Sequence, residues 1–263
     1  METENAGKEI PAAKNFFKAV TLLASFFLLV TLLNLLLYFP AKFFHLLPDL
    51  RSLFSQALAL VILIFLQKPQ AGLCRTFFNV KAPVQLYFII VLLSILLMIT
   101  MLPLVSKLPV IYDAKEAFNG LSLSFLVAYG ALVVPILEEI FFRGIILGDF
   151  LRIYSSKKAI IYSGILFGAV HINPPMILFA FTGGLILGWL YCKTGTLVPC
   201  IVLHATTNAL NGVIYHYLSP SGAIFGTHGF LYVIFYLVSL SLLVASLIFT
   251  NRLFKKEELK EAL

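Results

Sequence analysis

Long apolar runs alternate with short polar breaks along most of the chain. A helix needs about 20 mostly apolar residues to cross a bilayer, at ~1.5 Å rise per residue. Eight runs meet or approach that length: residues 19–40, 53–67, 84–105, 124–147, 159–173, 175–193, 196–218 and 230–250, of which the second and fifth are short. Turn-forming clusters punctuate them, among them Lys68-Pro69-Gln70, Asn173-Pro174-Pro175 and Ser219-Pro220-Ser221-Gly222. There is no visible internal repeat and no loop long enough for a second domain. The pattern predicts an all-α, polytopic membrane helical bundle of about eight transmembrane helices, forming a single transmembrane domain over residues 1–263.

Composition agrees. Of the 263 residues, 60% are hydrophobic and only 12% charged, and mean hydropathy is +0.99. Half the usual charge does not cover a water-facing surface, which excludes a soluble globular enzyme, a disordered chain and a disulfide scaffold. Residues 1–18 carry Glu2, Glu4, Lys8, Glu9, Lys14 and Lys18 ahead of the first apolar run. That run is long enough to span and lacks a small-residue cleavage signal, so it reads as an uncleaved first span and not as a signal peptide. Cys74, Cys192 and Cys200 form neither a CxxC pair nor a metal-ligand spacing.

The net charge of +7 raises the question of nucleic acid, but the basic residues form no dense patch. Their distribution instead orients the chain. Eight spans put both termini on one side, and that side takes fourteen of the nineteen lysines and arginines; four fall on the other, and Arg143 lies inside a span. The positive-inside rule then makes this a multi-pass protein of the cell membrane with both termini cytoplasmic.

Ionisable groups inside the apolar runs are the candidates for chemistry, because burying each costs about 2.5–3.5 kcal/mol even on a mild scale. Glu138 and Glu139 lie in the run Val133-Val134-Pro135-Ile136-Leu137-Glu138-Glu139-Ile140-Phe141-Phe142-Arg143. Glu139 and Arg143 are i,i+4 neighbours, so a structural ion pair accounts for them. It does not account for Glu138, which points roughly 100° away and has no cation at i+3 or i+4. The fifth run carries His171, and the seventh carries His204 and Asn208 on one helical face. A lone intramembrane histidine is most simply a helix–helix hydrogen-bond partner. His45, His216 and His228 read as loop or interfacial residues. Counting rise per residue, Glu138 lies roughly 13 Å from the cytoplasmic end of its span, His171 roughly 16–18 Å, and His204 and Asn208 roughly 12 and 18 Å. One carboxylate, two imidazoles and an amide therefore share a layer.

Such a layer has the parts for amide hydrolysis. A carboxylate and an imidazole hold and deprotonate a water, while a second imidazole and an amide donate to a developing oxyanion. Two histidines and a glutamate (Glu138, His171, His204) are equally a zinc ligand set. There is no Ser-His-Asp order, GxSxG elbow or HExxH pair.

Glu138-Glu139-x-x-x-Arg143, Phe167-x-x-x-His171 and His204-x-x-x-Asn208 resemble the three ordered motifs of the CPBP intramembrane proteases, over roughly residues 120–215. That family groups type II CAAX prenyl endopeptidases with bacterial bacteriocin-processing and self-immunity proteins. The resemblance implies that Glu138 and His171 activate the water, that His204 and Asn208 form the oxyanion site, and that Glu139 and Arg143 support the pocket or contact substrate. It implies a peptide or protein substrate, prenylated or membrane-bound, met at the lipid bilayer. It leaves both a glutamate-dependent and a zinc-dependent mechanism open. Two other readings share the same residues: a non-proteolytic immunity or scaffold protein, and a transporter, since intramembrane charges often line ion pathways. The layer arrangement and the lack of a repeat weigh against transport.

The topology is directly testable. Accessibility labelling of tags at the two termini should find both on the cytoplasmic face; tags on opposite faces contradict an even number of spans.

Overall fold

The computed structural model describes residues 12–43, 48–67, 84–111, 123–217 and 230–261. Cys74, His45 and His228, and the turn clusters at 68–70 and 219–222, lie outside these residues. Among the described residues the regular elements are all helices, joined by short turns, without strands. Helix α1 covers Ala12–Leu36, α2 Tyr38–Phe43, α3 Pro48–Leu66 and α4 Val84–Val105. A continuous helix, α5, runs over residues 123–151; then come α6 (Ser156–Ala169), α7 (Pro174–Thr194), α8 (Val198–Tyr217) and α9 (Phe230–Glu261).

Four helical segments are long and apolar enough to cross a membrane: Phe16–Leu36, Val84–Val105, Pro174–Thr194 and Val233–Lys255. Leu50–Leu66 and Val198–Ile214 are shorter apolar helices. Large apolar side chains such as Phe17, Leu28 and Leu35 on α1, and Leu237, Leu242 and Phe249 on α9, are exposed along these rods. So much bare apolar surface suits lipid, not water. The protein is an all-α, multi-pass membrane-embedded bundle.

Each of the eight apolar runs contains a helix, and the third matches residue for residue. Two runs are corrected by prolines. The first breaks at Leu37, because the Pro40 ring would clash with the Leu36 carbonyl in an unbroken helix. The fifth ends at Ala169, short of the expected 173, so His171 leaves the helix and sits in the following turn. Pro174 forces this: the residue before a proline is driven out of the helical region, and Asn173 is extended at φ −79°, ψ 122°. Pro174 then starts α7, where its missing N–H is harmless. Gly195, left-handed at φ 64°, closes that helix by returning its N–H to the Tyr191 carbonyl.

Helix α4 is central, burying Leu86, Ile90, Leu93, Leu97 and Met101 at helical spacing, with α8 and α9 packed along it. Helices α6 and α7 form a close antiparallel pair, in which Gly164 and Gly184 let the backbones approach: a Cβ on Gly184 would stand 3.2 Å from the Gly164 Cα. At one end of the bundle an ion pair of 2.6 Å between Lys18 and Asp149, with Phe16 against Phe150 and Tyr162, ties α1 to the end of α5. The elements that matter for chemistry, α5 to α8, thus converge on the middle of the bundle.

Candidate active site

The helix that carries the two glutamates is not a regular α-helix. Its Leu126–Val133 and Ile140–Leu147 stretches are π-helical, flanking the α-helical Val134–Glu139. The first has a cause in the sequence. In an α-helix the Pro135 ring would meet the Ala131 carbonyl; the wider turn instead returns the Val134 N–H to Tyr129, five residues back. In that register the Gly130 carbonyl should pair with the N–H of residue 135, which proline lacks. Asn208 on α8 fills the gap, donating its Nδ2 hydrogen to the Gly130 oxygen at 2.9 Å. The second hydrogen of that amide is not used in this bond.

One turn further on lies a buried charge network. Arg143 and Glu139 are both fully buried and paired Nη1 to Oε1 at 2.9 Å. The guanidinium also donates from Nη2 to the Gly184 carbonyl at 3.3 Å and lies over the Phe167 ring, 4.4 Å from its centroid. Gly184 is required there: a Cβ would stand 3.2 Å from Phe167 Cδ1 and 3.5 Å from Arg143 Nη2. The same Glu139 oxygen accepts the Nδ1 hydrogen of His204 at 2.8 Å. Because a carboxylate paired to arginine only accepts, the hydrogen must sit on Nδ1. The opposite nitrogen, Nε2, faces Glu138 Oε2 at 3.7 Å. His204 is thus held between the two glutamates.

Phe167 joins this network to His171. Its ring meets His204 edge-on at 5.6 Å and His171 at 5.2 Å, with Phe142 packed on it at 4.9 Å. His171 donates from Nδ1 to the Phe167 carbonyl at 2.9 Å; a carbonyl cannot donate, so Nε2 of the neutral ring carries a lone pair. Glu138 also borders a small apolar cavity lined by Leu23, Phe26, Leu60, Phe141, Phe142 and Val170.

The geometry therefore unites Glu138, Glu139, Arg143 and His204, sets His171 against the same Phe167 ring that His204 touches, and ties Asn208 to the glutamate helix. Phe167, Gly184 and the Pro135–Gly130 pair had no assigned role in the sequence reading. The Gly183-Gly184 pair inside an apolar helix was their available signal, since small residues there mark close approach. Cys200 is buried, its thiol turned to the Leu187 carbonyl at 3.4 Å. Among the described residues no three His, Cys, Asp or Glu side chains are grouped closely enough to hold a metal ion as they stand.

Together these features define a helical membrane protein with a largely buried carboxylate–imidazole site. Residues 120–210 are similar to the family described as Type II CAAX prenyl endopeptidase Rce1-like. No curated protein and no solved structure matches the chain.

Removing Arg143 would leave Glu139 a fully buried carboxylate with only the His204 Nδ1 hydrogen to answer it. Arg143→Ala should cost about 3–5 kcal/mol of stability and lower folded yield, read by thermal denaturation in detergent. A variant of unchanged stability that loses all cleavage would show direct substrate contact instead.

Proposed function

We propose that this protein is an intramembrane endopeptidase that cleaves a peptide bond with a water activated by Glu138 and His171. The observation that carries the reading is His204 clasped between Glu139 and Glu138 beside the Phe167–His171 pair. A water between Glu138 and His171 donates one hydrogen to the carboxylate and one to the imidazole Nε2. As its oxygen attacks the scissile carbonyl, Glu138 takes the proton and later passes it to the leaving nitrogen. The developing oxyanion is met by the Nε2 hydrogen of protonated His204 and by the second amide hydrogen of Asn208. Glu139 and Arg143 hold His204 in place and form no bond to substrate. The pathway needs no covalent acyl-enzyme and no step through a metal.

The substrate in this reading is a membrane-bound or prenylated peptide or protein, of CAAX type or a precursor undergoing maturation. The apolar walls around Glu138 suit an aliphatic side chain next to the scissile bond. The chain crosses the membrane eight times with both termini cytoplasmic, as the basic-residue asymmetry argues.

Peptide cleavage by purified protein tests the mechanism. Glu138→Gln should lose the ~10²–10⁴-fold supplied by a positioned general base. His204→Ala and Asn208→Ala should each lose about 10²–10³-fold. Full activity in Glu138→Gln, or a covalent intermediate trapped by a serine- or cysteine-directed reagent, would overturn it.

A further inference from the structure

The turn after α6 is built against local preference. Ile172, a β-branched residue, sits at φ 61°, the only positive-φ non-glycine residue among those described. That region crowds Cβ against the backbone, and branched side chains rarely enter it. The Asn173 N–H donates back to the His171 carbonyl, closing a tight three-residue turn around Ile172. The Asn173 carbonyl meanwhile accepts the Ile177 N–H at 2.8 Å to begin α7. Strain of this kind survives only where tertiary structure over-determines it.

The tertiary clamp is the Asn173 side chain. It is 3% exposed, and its Oδ1 accepts the backbone N–H of Ile111 at 3.1 Å, 62 residues away in the segment that follows α4. His171 is the first residue of this turn. Its own N–H reaches the Gly168 carbonyl at 3.1 Å and its ring is tied to Phe167, so α6 holds one side of the residue and the strained turn holds the other.

We infer that Asn173 is a positioning residue for His171: its buried carboxamide, anchored by the Ile111 N–H, locks the left-handed Ile172 and so fixes where the imidazole points. The inference rests on the reading of His171 as a group that holds the attacking water. Asn173 touches no substrate. Its effect is geometric, and displacing a reacting group by about 1 Å costs about 10²-fold in rate.

The test breaks the same hydrogen bond from both ends. Asn173→Ala removes the acceptor. Ile111→Pro removes the donor at an exposed position, leaves the turn untouched, and carries the test if Asn173→Ala fails to fold. For folded protein cleaving a peptide, kcat should fall about 10²-fold in both, with KM changed by less than about twofold. Asn173→Asp, which keeps an oxygen acceptor, should recover most of the lost kcat. A merely structural role would lower the folded fraction and leave kcat per folded molecule unchanged. His171→Ala separates the two claims. If His171→Ala keeps wild-type kcat, the catalytic reading fails and the inference with it. If His171→Ala is inactive while both clamp variants keep wild-type kcat, the positioning role alone is wrong.

Discussion

A carboxylate and a guanidinium with no exposed surface must neutralise each other, and the Glu139–Arg143 pair is the constraint around which the centre of this bundle is arranged. In a low-dielectric interior, leaving either one alone costs far more than the pair itself returns. The surroundings follow from that demand. The guanidinium needs an acceptor and a face, and it finds the Gly184 carbonyl and the Phe167 ring. Both are within reach only because residue 184 has no side chain and α7 can lie against α6. The carboxylate oxygen that binds arginine also takes the His204 Nδ1 hydrogen, which orients the imidazole toward Glu138. A structural ion pair thereby aims a group of potential chemical use. Helices α5, α6, α7 and α8 each contribute a residue to it.

The backbone shows the same pattern of a local fault answered from a distance. Pro135 opens the glutamate helix into a wider turn and leaves the Gly130 carbonyl without its usual partner; Asn208 supplies the hydrogen from α8. Pro174 ends α6 early, and the chain passes through an unfavourable conformation at Ile172 before α7 begins. In each case a proline disrupts a helix within a few residues of a motif side chain. The hydrogen bond that compensates comes from a separate part of the chain. Irregular backbone is tolerated at membrane depth only under such conditions.

Much of this was legible in the amino-acid sequence. Helix placement followed from apolar run length, and α4 agreed with its run from end to end. The Glu139–Arg143 pair followed from helical spacing alone, and its complete burial agrees with the cost of isolated charge in hydrocarbon. The tertiary partners were not legible. That Glu138 faces His204, that His204 turns its other nitrogen to Glu139, and that Asn208 bonds Gly130 all depend on how α5 and α8 rotate against each other. No periodicity encodes that rotation. The early end of the fifth run was readable in principle, since Asn173-Pro174-Pro175 is a helix stop, but run length outweighed it. Phe167 belonged to a motif without an evident task. Its role as the surface shared by Arg143, His171 and His204 exists only in three dimensions.

The central claim is that a tetrahedral species forms between Glu138 and His171 under the hand of His204. An experimental structure with a peptide phosphinate, a stable mimic of that species, tests it most directly. The account predicts one phosphinate oxygen within hydrogen-bond distance of Glu138 and His171, the other facing His204 Nε2, and the Glu139–Arg143 pair unbroken. A phosphinate bound with its tetrahedral centre away from Glu138, or one that draws Glu139 out of its pairing with Arg143, would contradict it.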